Sequence, residues 1–291
     1  MRDLLLSKIP EMSPNQLKIA RFILDSPQEA AFLTASRLAS IVEVSEATVV
    51  RFASFLGFPG YGKMRDAISH MVLDGLSTVE RIRDYKKETE ESYLEKIVGK
   101  DVEALSRVQG HLPEEQLEAL SRAITEAAAV FVAGARSSYA LAYYLHFYLS
   151  WIRPSVTLLS ESTAFEMLEN AEKGSLVIGI SFPRYTRWTV EILRYAGEKE
   201  LQTGAITDSL VSPLAMESSF VVTVPYTPVS FIDSFTAPIC FMNCIILSVS
   251  RRLGDSVPAR FAVLENLWAR NRTYISPGKL STGLPDSGSQ D

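Results

Sequence analysis

The chain has 291 residues, 47% hydrophobic and 22% charged, with a formal net charge of −5. This is the composition of a globular protein, long enough for one large domain or two ordinary ones and for a sizeable core. The negative balance argues against broad, sequence-blind nucleic-acid binding. Cys240 and Cys244 are spaced i, i+4 on one face of an apolar stretch and read as reduced core thiols. His70, His111 and His146 are scattered and form no ligand pair, so neither a metal nor a cofactor is expected. The start, MRDLLLSKIPEMS, lacks a long apolar run and a cleavage site, and the apolar stretch near Ile239–Val249 is too short to span a bilayer. A cytoplasmic location with no membrane partner is expected.

Residues 1–75 read as an all-α domain. Within it, LASIVEVSEATVVRFASFL (38–56) reads as helix, tight turn, helix. Leu38, Ala39, Ile41 and Val42 are apolar at helical spacing, and Val44 anchors the turn. Ser45 is a good N-cap, since its hydroxyl can accept from a free backbone N–H of the second helix. Val49, Phe52 and Leu56 form that helix's buried stripe, with Glu46, Thr48, Arg51 and Ser54 on the opposite face. A short, polar-faced helix after a tight turn suits insertion into a DNA major groove, although such hairpins also occur as plain packing. Arg37, Arg51, Lys63 and Arg65 stand against Glu43, Glu46 and Asp66, a weak electrostatic footprint. That balance fits a protein that uses two copies on a palindromic site. The candidate DNA-binding residues are Ser45, Glu46, Thr48 and Arg51 for bases and phosphates, and Tyr61 and Lys63 for the backbone. Arginine pairs bidentately with guanine, and Ser and Thr more often touch phosphate. Glu46 either accepts from a cytosine or favours the helix N-terminus through the dipole.

Residues 76–116 read as a charged, helical linker, with the run VERIRDYKKETEESYLEKIVGK as a solvated helix face. Over 117–273 the pattern becomes short Val/Ile/Ala-rich runs alternating with amphipathic stretches. Strands are expected at Ala129–Ala133, Val156–Leu159, Leu176–Ile180, Gln202–Thr207 and Phe220–Val224. Helices are expected at Ser138–Ile152, Thr163–Asn170, Thr186–Lys199, Pro213–Met216, Phe235–Leu253 and Ala259–Arg270. This alternation indicates an α/β domain with a doubly wound, parallel, five-stranded sheet. The Ser-, Gly- and Pro-rich residues 274–291 read as a disordered tail.

In such sheets ligands bind beyond the carboxyl ends of the strands. Two expected strand ends carry suitable groups: Gly134-Ala135-Arg136-Ser137-Ser138 and Ser181-Phe182-Pro183-Arg184-Tyr185-Thr186. Each places hydroxyls beside free N–H groups at a helix start, and each offers an arginine that can grip a phosphate or carboxylate. Arg136, Ser137, Ser138, Ser181, Arg184, Tyr185 and Thr186 are therefore the candidate ligand-binding residues; either cluster alone also reads as helix capping. No nucleophile elbow, Walker loop or metal cluster is visible. Glu161, Glu166 and Glu169 are not set apart from a solvated helix face, and His146, among Tyr144, Leu145 and Phe147, reads as packed. No catalytic residue is assigned, and a non-enzyme is expected.

The N-terminal quarter resembles the RpiR family of bacterial transcription regulators. The resemblance rests on Ser13-Pro14, Lys18-Ile19-Ala20, Ile23-Leu24, Leu38-Ala39, the run VSEATVVRF (44–52), LGF (56–58) and Gly60-Tyr61. Residues from Ile124 to Leu253 are similar to the sugar isomerase (SIS) domain that follows the helix-turn-helix in such regulators. VFVAGARSS (130–138), VIGISFPRYTRWTVE (177–191), GAITDS (204–209) and SPLA (212–215) carry that similarity. The resemblance implies that loop hydroxyls hold the phosphate of a phosphosugar, with Ser138, Ser181 and Thr186 at the matching positions. The chain departs from the family pattern at Arg136, where a second glycine is usual, and at Pro183-Arg184, which replace a serine and a glycine. Proline removes a backbone donor, while two arginines are gained. The resulting expectation is a regulator that binds a double-stranded, palindromic operator. It would respond to a small anionic effector, a phosphosugar or related carbohydrate derivative, and act as a homodimer or homotetramer. The aromatic helix Tyr139–Trp151 would supply either an interface or core. The alternatives are a SIS-type phosphosugar isomerase and a regulator with a degenerate pocket and constitutive DNA binding.

Overall fold

A computed structural model describes residues 1–75, 78–79, 81–82, 92–111, 114–228 and 231–275. The expected tail beyond 275 lies outside the described residues, as do 76–77, 80, 83–91 and 112–113 of the expected linker.

The first core is helical: α1 (Arg2–Lys8), α2 (Pro14–Asp25), α3 (Pro27–Ala30), α4 (Ala35–Ile41), α5 (Glu46–Phe55) and α6 (Tyr61–Gly75). A capping box opens α2, in which the Ser13 N–H donates to Gln16 Oε1 at 2.8 Å. Pro14 is pre-set for the first helical position there. Ile19, Ala20 and Ile23 then turn inward to meet Leu38, Val49, Phe52, Met64 and Ile68. Thr34 caps α4, accepting from the Arg37 N–H at 3.2 Å. Ser45 caps α5 as expected, accepting from the Thr48 N–H at 3.2 Å, which satisfies one of the helix's free donors. Gly57 ends α5 at φ 90°. There the Phe58 N–H bonds Ala53 O at 2.9 Å and the Gly57 N–H bonds Ser54 O at 3.0 Å, a Schellman closure.

The second core is built on five parallel strands in the order β2-β1-β3-β4-β5: β1 (Val130–Ala133), β2 (Val156–Leu158), β3 (Leu176–Ile180), β4 (Gln202–Thr207) and β5 (Phe220–Thr223). Every residue of β1 and β3 is buried, as continuous Val/Ile runs in a doubly covered sheet require. One face meets α8 (Glu114–Glu126), α9 (Tyr139–Ile152) and α13 (Thr236–Leu253), with α14 (Ser256–Asn271) beside α9. The other face meets α10 (Ala164–Glu169), α11 (Arg187–Glu198) and the short α12 (Pro213–Met216). Close approach is built in: a Cβ on Gly179 would lie 2.6 Å from Leu193 Cδ1 of α11. Buried Arg153 closes the end of α8, donating to the carbonyls of Ile124 and Ala127, which complements the negative helix terminus. Its burial also holds its pKa below the usual arginine range.

Two features differ from the sequence reading. Within the stretch read as linker, α7 (Tyr93–His111) packs Ala104 and Val108 against Ala237, and its Asp101 accepts from Ser234 and Thr236. High local charge concealed this small-residue seam. A short antiparallel pair, β6 (Thr227–Pro228) with β7 (Asp233–Ser234), lies between β5 and α13 and has no local sequence signal.

Candidate functional site

In the order 2-1-3-4-5, the connections after β1 and β3 leave in opposite directions, and the crevice between them is the topological switch point. The two candidate loops follow these two strands. Gly134 lets α9 start hard against β1, since a Cβ there would lie 2.8 Å from Ser138 O and 2.9 Å from Ala142 Cβ. Arg136 then takes φ 54° and enters a short 3-10 turn, Arg136–Ser138, that buries Ser138 and leaves Arg136 and Ser137 exposed. In the second loop Ser181 is 2% exposed, and its Oγ accepts from the Thr186 N–H at 3.3 Å. Thr186 pairs with Thr189 through their hydroxyls at 2.8 Å. Tyr185 donates to Asp208 Oδ1 at 2.8 Å, and Thr207 donates to the same oxygen at 3.1 Å. Arg184 sits at φ 66° with its guanidinium exposed.

Together the loops line an open cavity of about 870 Å³, in the range of small-molecule sites. Its walls include all seven candidate ligand-binding residues, Arg136, Ser137, Ser138, Ser181, Arg184, Tyr185 and Thr186. It also includes Glu161, read from the sequence as part of a solvated helix face, and residues that the sequence did not point to: Thr78, Arg187, Trp188, Phe231 and Asp233. Asp233 is central among them. Its carboxylate accepts from Ser137 Oγ at 3.2 Å and from the Tyr226 hydroxyl, and lies 3.8 Å from Arg81 Nη1. Burial, then the bond to Asp233, drive the Tyr226 pKa far above its ordinary value. Three arginines against two carboxylates, with hydroxyls between them, make an anion-accepting surface. Among the described residues no group of three or more His, Cys, Asp or Glu could hold a metal ion. Cys240 and Cys244 are free, half-buried thiols.

At the other end of the chain, Ser45, Glu46 and Arg51 are exposed and Thr48 is half-buried. Ser45 Oγ and Thr48 Oγ1 are 2.8 Å apart, and Arg51 Nη2 donates to Thr48 Oγ1 at 3.3 Å. The face of α5 therefore carries an ordered polar row ending in a guanidinium. Lys63 is exposed at the start of α6. Tyr61, the other expected backbone contact, also has a partner within the domain. Its half-buried hydroxyl donates to Leu33 O at 2.9 Å and ties α6 to the segment before α4. His146 is half-buried, and desolvation lowers its pKa. Glu169 lies at the surface with Tyr195 and Lys199.

Family models match both halves: a helix-turn-helix domain of the rpiR family over residues 1–72 and the SIS domain over 123–248. HexR, a helix-turn-helix-type transcriptional regulator of Pseudomonas aeruginosa, is 26% identical over 222 residues, 75% of this chain and 76% of HexR. The sugar isomerase domain of an RpiR transcription factor from Sphaerobacter thermophilus is 30% identical, with a TM-score of 0.57, covering 59% of this chain and 97% of that one. NanR of Vibrio vulnificus, solved in complex with ManNAc-6P, shares the fold over 91% of this chain and 98% of NanR, with a TM-score of 0.53 at 19% identity. A helix-turn-helix domain followed by a sugar-isomerase-type sheet defines a class of transcriptional regulator. This chain belongs to that class, as a member of the RpiR family. Among the described residues no helix is long and apolar enough to cross a membrane.

Proposed function

We propose that this regulator binds a palindromic operator as a homodimer or homotetramer and senses a small anionic carbohydrate derivative, a phosphosugar foremost, in the cavity between the β1 and β3 loops. The observation that carries the reading is the convergence of Ser138, Ser181 and Thr186 with Arg136 and Arg184 on one crevice of a chain that also presents Ser45, Thr48 and Arg51 on a helix-turn-helix. NanR, of the same fold, is held with a phosphosugar. Arg136 and Arg184 bring charged forks to the two loops, which suits an anion gripped from two sides. Ser45, Glu46, Thr48, Arg51, Tyr61 and Lys63 form the DNA-contacting set, with the Tyr61 hydroxyl also donating to Leu33 O.

The pocket is read as a sensor without catalysis. Asp233 is committed to Ser137, Tyr226 and the buried Arg81. Glu161 stands exposed at the rim of the cavity. A thermal-shift screen of the full chain against phosphosugars, sugar acids and other small anionic metabolites tests the reading, since a ligand selective for the folded state raises the melting temperature by mass action. The expected hit loses its effect in Arg136→Ala and Ser181→Ala and is recovered chemically unchanged after incubation with the protein. A hit that survives both substitutions would remove the site from these loops, and conversion of the sugar would make the protein an isomerase.

A further inference from the structure

The cavity has a wall that belongs to neither domain core. Thr78, three residues beyond the end of α6, lines it, and Thr78 Oγ1 accepts from Arg184 Nη1 at 2.6 Å. Three residues further on, the Arg81 side chain is 4% exposed, pairs with Asp233 across 3.8 Å and bonds the Tyr226 side chain. A guanidinium is not sunk this deeply without a compensating partner, because desolvation is expensive. Arg81 is thus an anchor, and the carboxylate that receives it also receives Ser137. The chain that leaves the DNA-binding domain is fastened at Thr78 to the second loop and at Arg81 to the partner of the first.

We propose that this segment is the third wall of the effector site: Thr78 contacts the anionic end of a phosphorylated carbohydrate alongside Arg184, and Arg81 is a positioning residue that holds Thr78 there through Asp233. The proposal rests on the reading of the cavity as an anion sensor. Arginine has donors to spare when one is spent on Thr78, so the hydroxyl orients Arg184 without consuming it. A ligand touching Thr78 binds only the arrangement in which the wall is seated, and so stabilises that arrangement by its differential affinity. Thr78 lies three residues beyond the end of α6 in the sequence, so occupancy is felt at the DNA-binding domain through the covalent chain.

The test uses the full chain, with hydrogen exchange and calorimetric titration. Without ligand, the amides around residues 78–82 are expected to exchange at least about tenfold slower than in an unstructured peptide, and Arg81→Met is expected to abolish that protection. Wild-type exchange at the free-peptide rate, or protection that survives Arg81→Met, overturns the proposal. Glucose 6-phosphate and inorganic phosphate are then titrated. Thr78→Ala is expected to weaken binding about tenfold, the loss typical of one hydrogen bond to a charged group, and bound ligand is expected to slow exchange at the wall further. Equal binding by wild type and Thr78→Ala overturns the wall and leaves the pocket reading standing. No binding to wild type by either probe, or by any member of the anion panel, overturns both.

Discussion

Glu43, Arg136 and Arg184 hold φ at 55°, 54° and 66°. This is the left-handed region, which costs a residue with a Cβ on the order of 1 kcal/mol. Glu43 sits at the turn between α4 and α5, where the Val44 N–H bonds Ala39 O at 2.9 Å; the left-handed residue is what lets it do so. Glycine would adopt this conformation freely, so Glu43→Gly should raise the stability of the N-terminal domain by about 0.5–1 kcal/mol. A denaturant titration reads this as a higher midpoint, and a lower one would show that the Glu43 side chain contributes more than its backbone costs. Arg184→Gly relieves the same strain but deletes a charged fork from the cavity. Its melting temperature should hold or rise while affinity for glucose 6-phosphate falls tenfold or more, the opposite signs expected where strain is kept for binding. Set against the family pattern that the sequence resembles, an arginine stands where a glycine is usual at both loop positions. The sequence does not show the sign of φ, because the loop geometry comes from the sheet and helix on either side.

The elements were legible because their signals are local. The strand expectations lie within one residue of β1 to β5, since fully buried strands are runs of Val, Ile and Ala closed by polar or glycine residues. The α5 cap could be read from Ser45. Thr78, Arg81 and Asp233 were not legible. The hydrogen bonds joining Thr78 to Arg184 and Ser137 to Asp233 span 106 and 96 residues, and no periodicity reports such a meeting. The β6–β7 pair is too short for alternation to show. Gly134 links element to site: any Cβ there meets Ser138 O and Ala142 Cβ below 3.0 Å. Gly134→Ala should therefore push the start of α9 away from β1, cost about 1–3 kcal/mol as overpacking does, and carry Ser137 and Ser138 off the crevice. Thermal melting and phosphosugar titration should both register it; unchanged binding would show that the α9 start does not hold the ligand. The same helix carries His146, whose pKa burial holds below 6.5. The unfolded chain then takes up the proton first, so this residue's contribution to stability is present above 6.5 and lost as pH falls from there through the lowered folded value. His146→Leu should flatten the drop in melting temperature between about pH 7 and about pH 5; an unaltered slope would assign the acid sensitivity to other groups.

At the scale of the molecule, the apolar core of the helical domain shares no residue with the cores of the sheet domain. The first runs from Leu5 to Ile68, and the others fill the two faces of the sheet between Leu120 and Val257. Each domain encloses its own hydrogen-bonded elements, so each should melt as its own cooperative unit. Differential scanning calorimetry of the full chain should show two transitions. An operator duplex should raise the transition of the helical domain. A phosphosugar should raise that of the sheet domain, at one hundred times its Kd by about 2.7 kcal/mol, which corresponds to roughly 5–10 °C for a domain of that size. The Thr78 and Arg81 contacts join the two units, and their effect is measurable in the same scans. In the wild-type chain the sugar should also move the first transition by a smaller amount, because loss of the helical domain frees the segment that carries Thr78. Thr78→Ala should leave both transitions in place without ligand, reduce the sugar's shift of the second in line with the weaker binding, and remove the cross-effect on the first. One merged transition in all variants would show that the cores are a single cooperative unit, and coupling between pocket and helix-turn-helix would then not depend on residues 78–82.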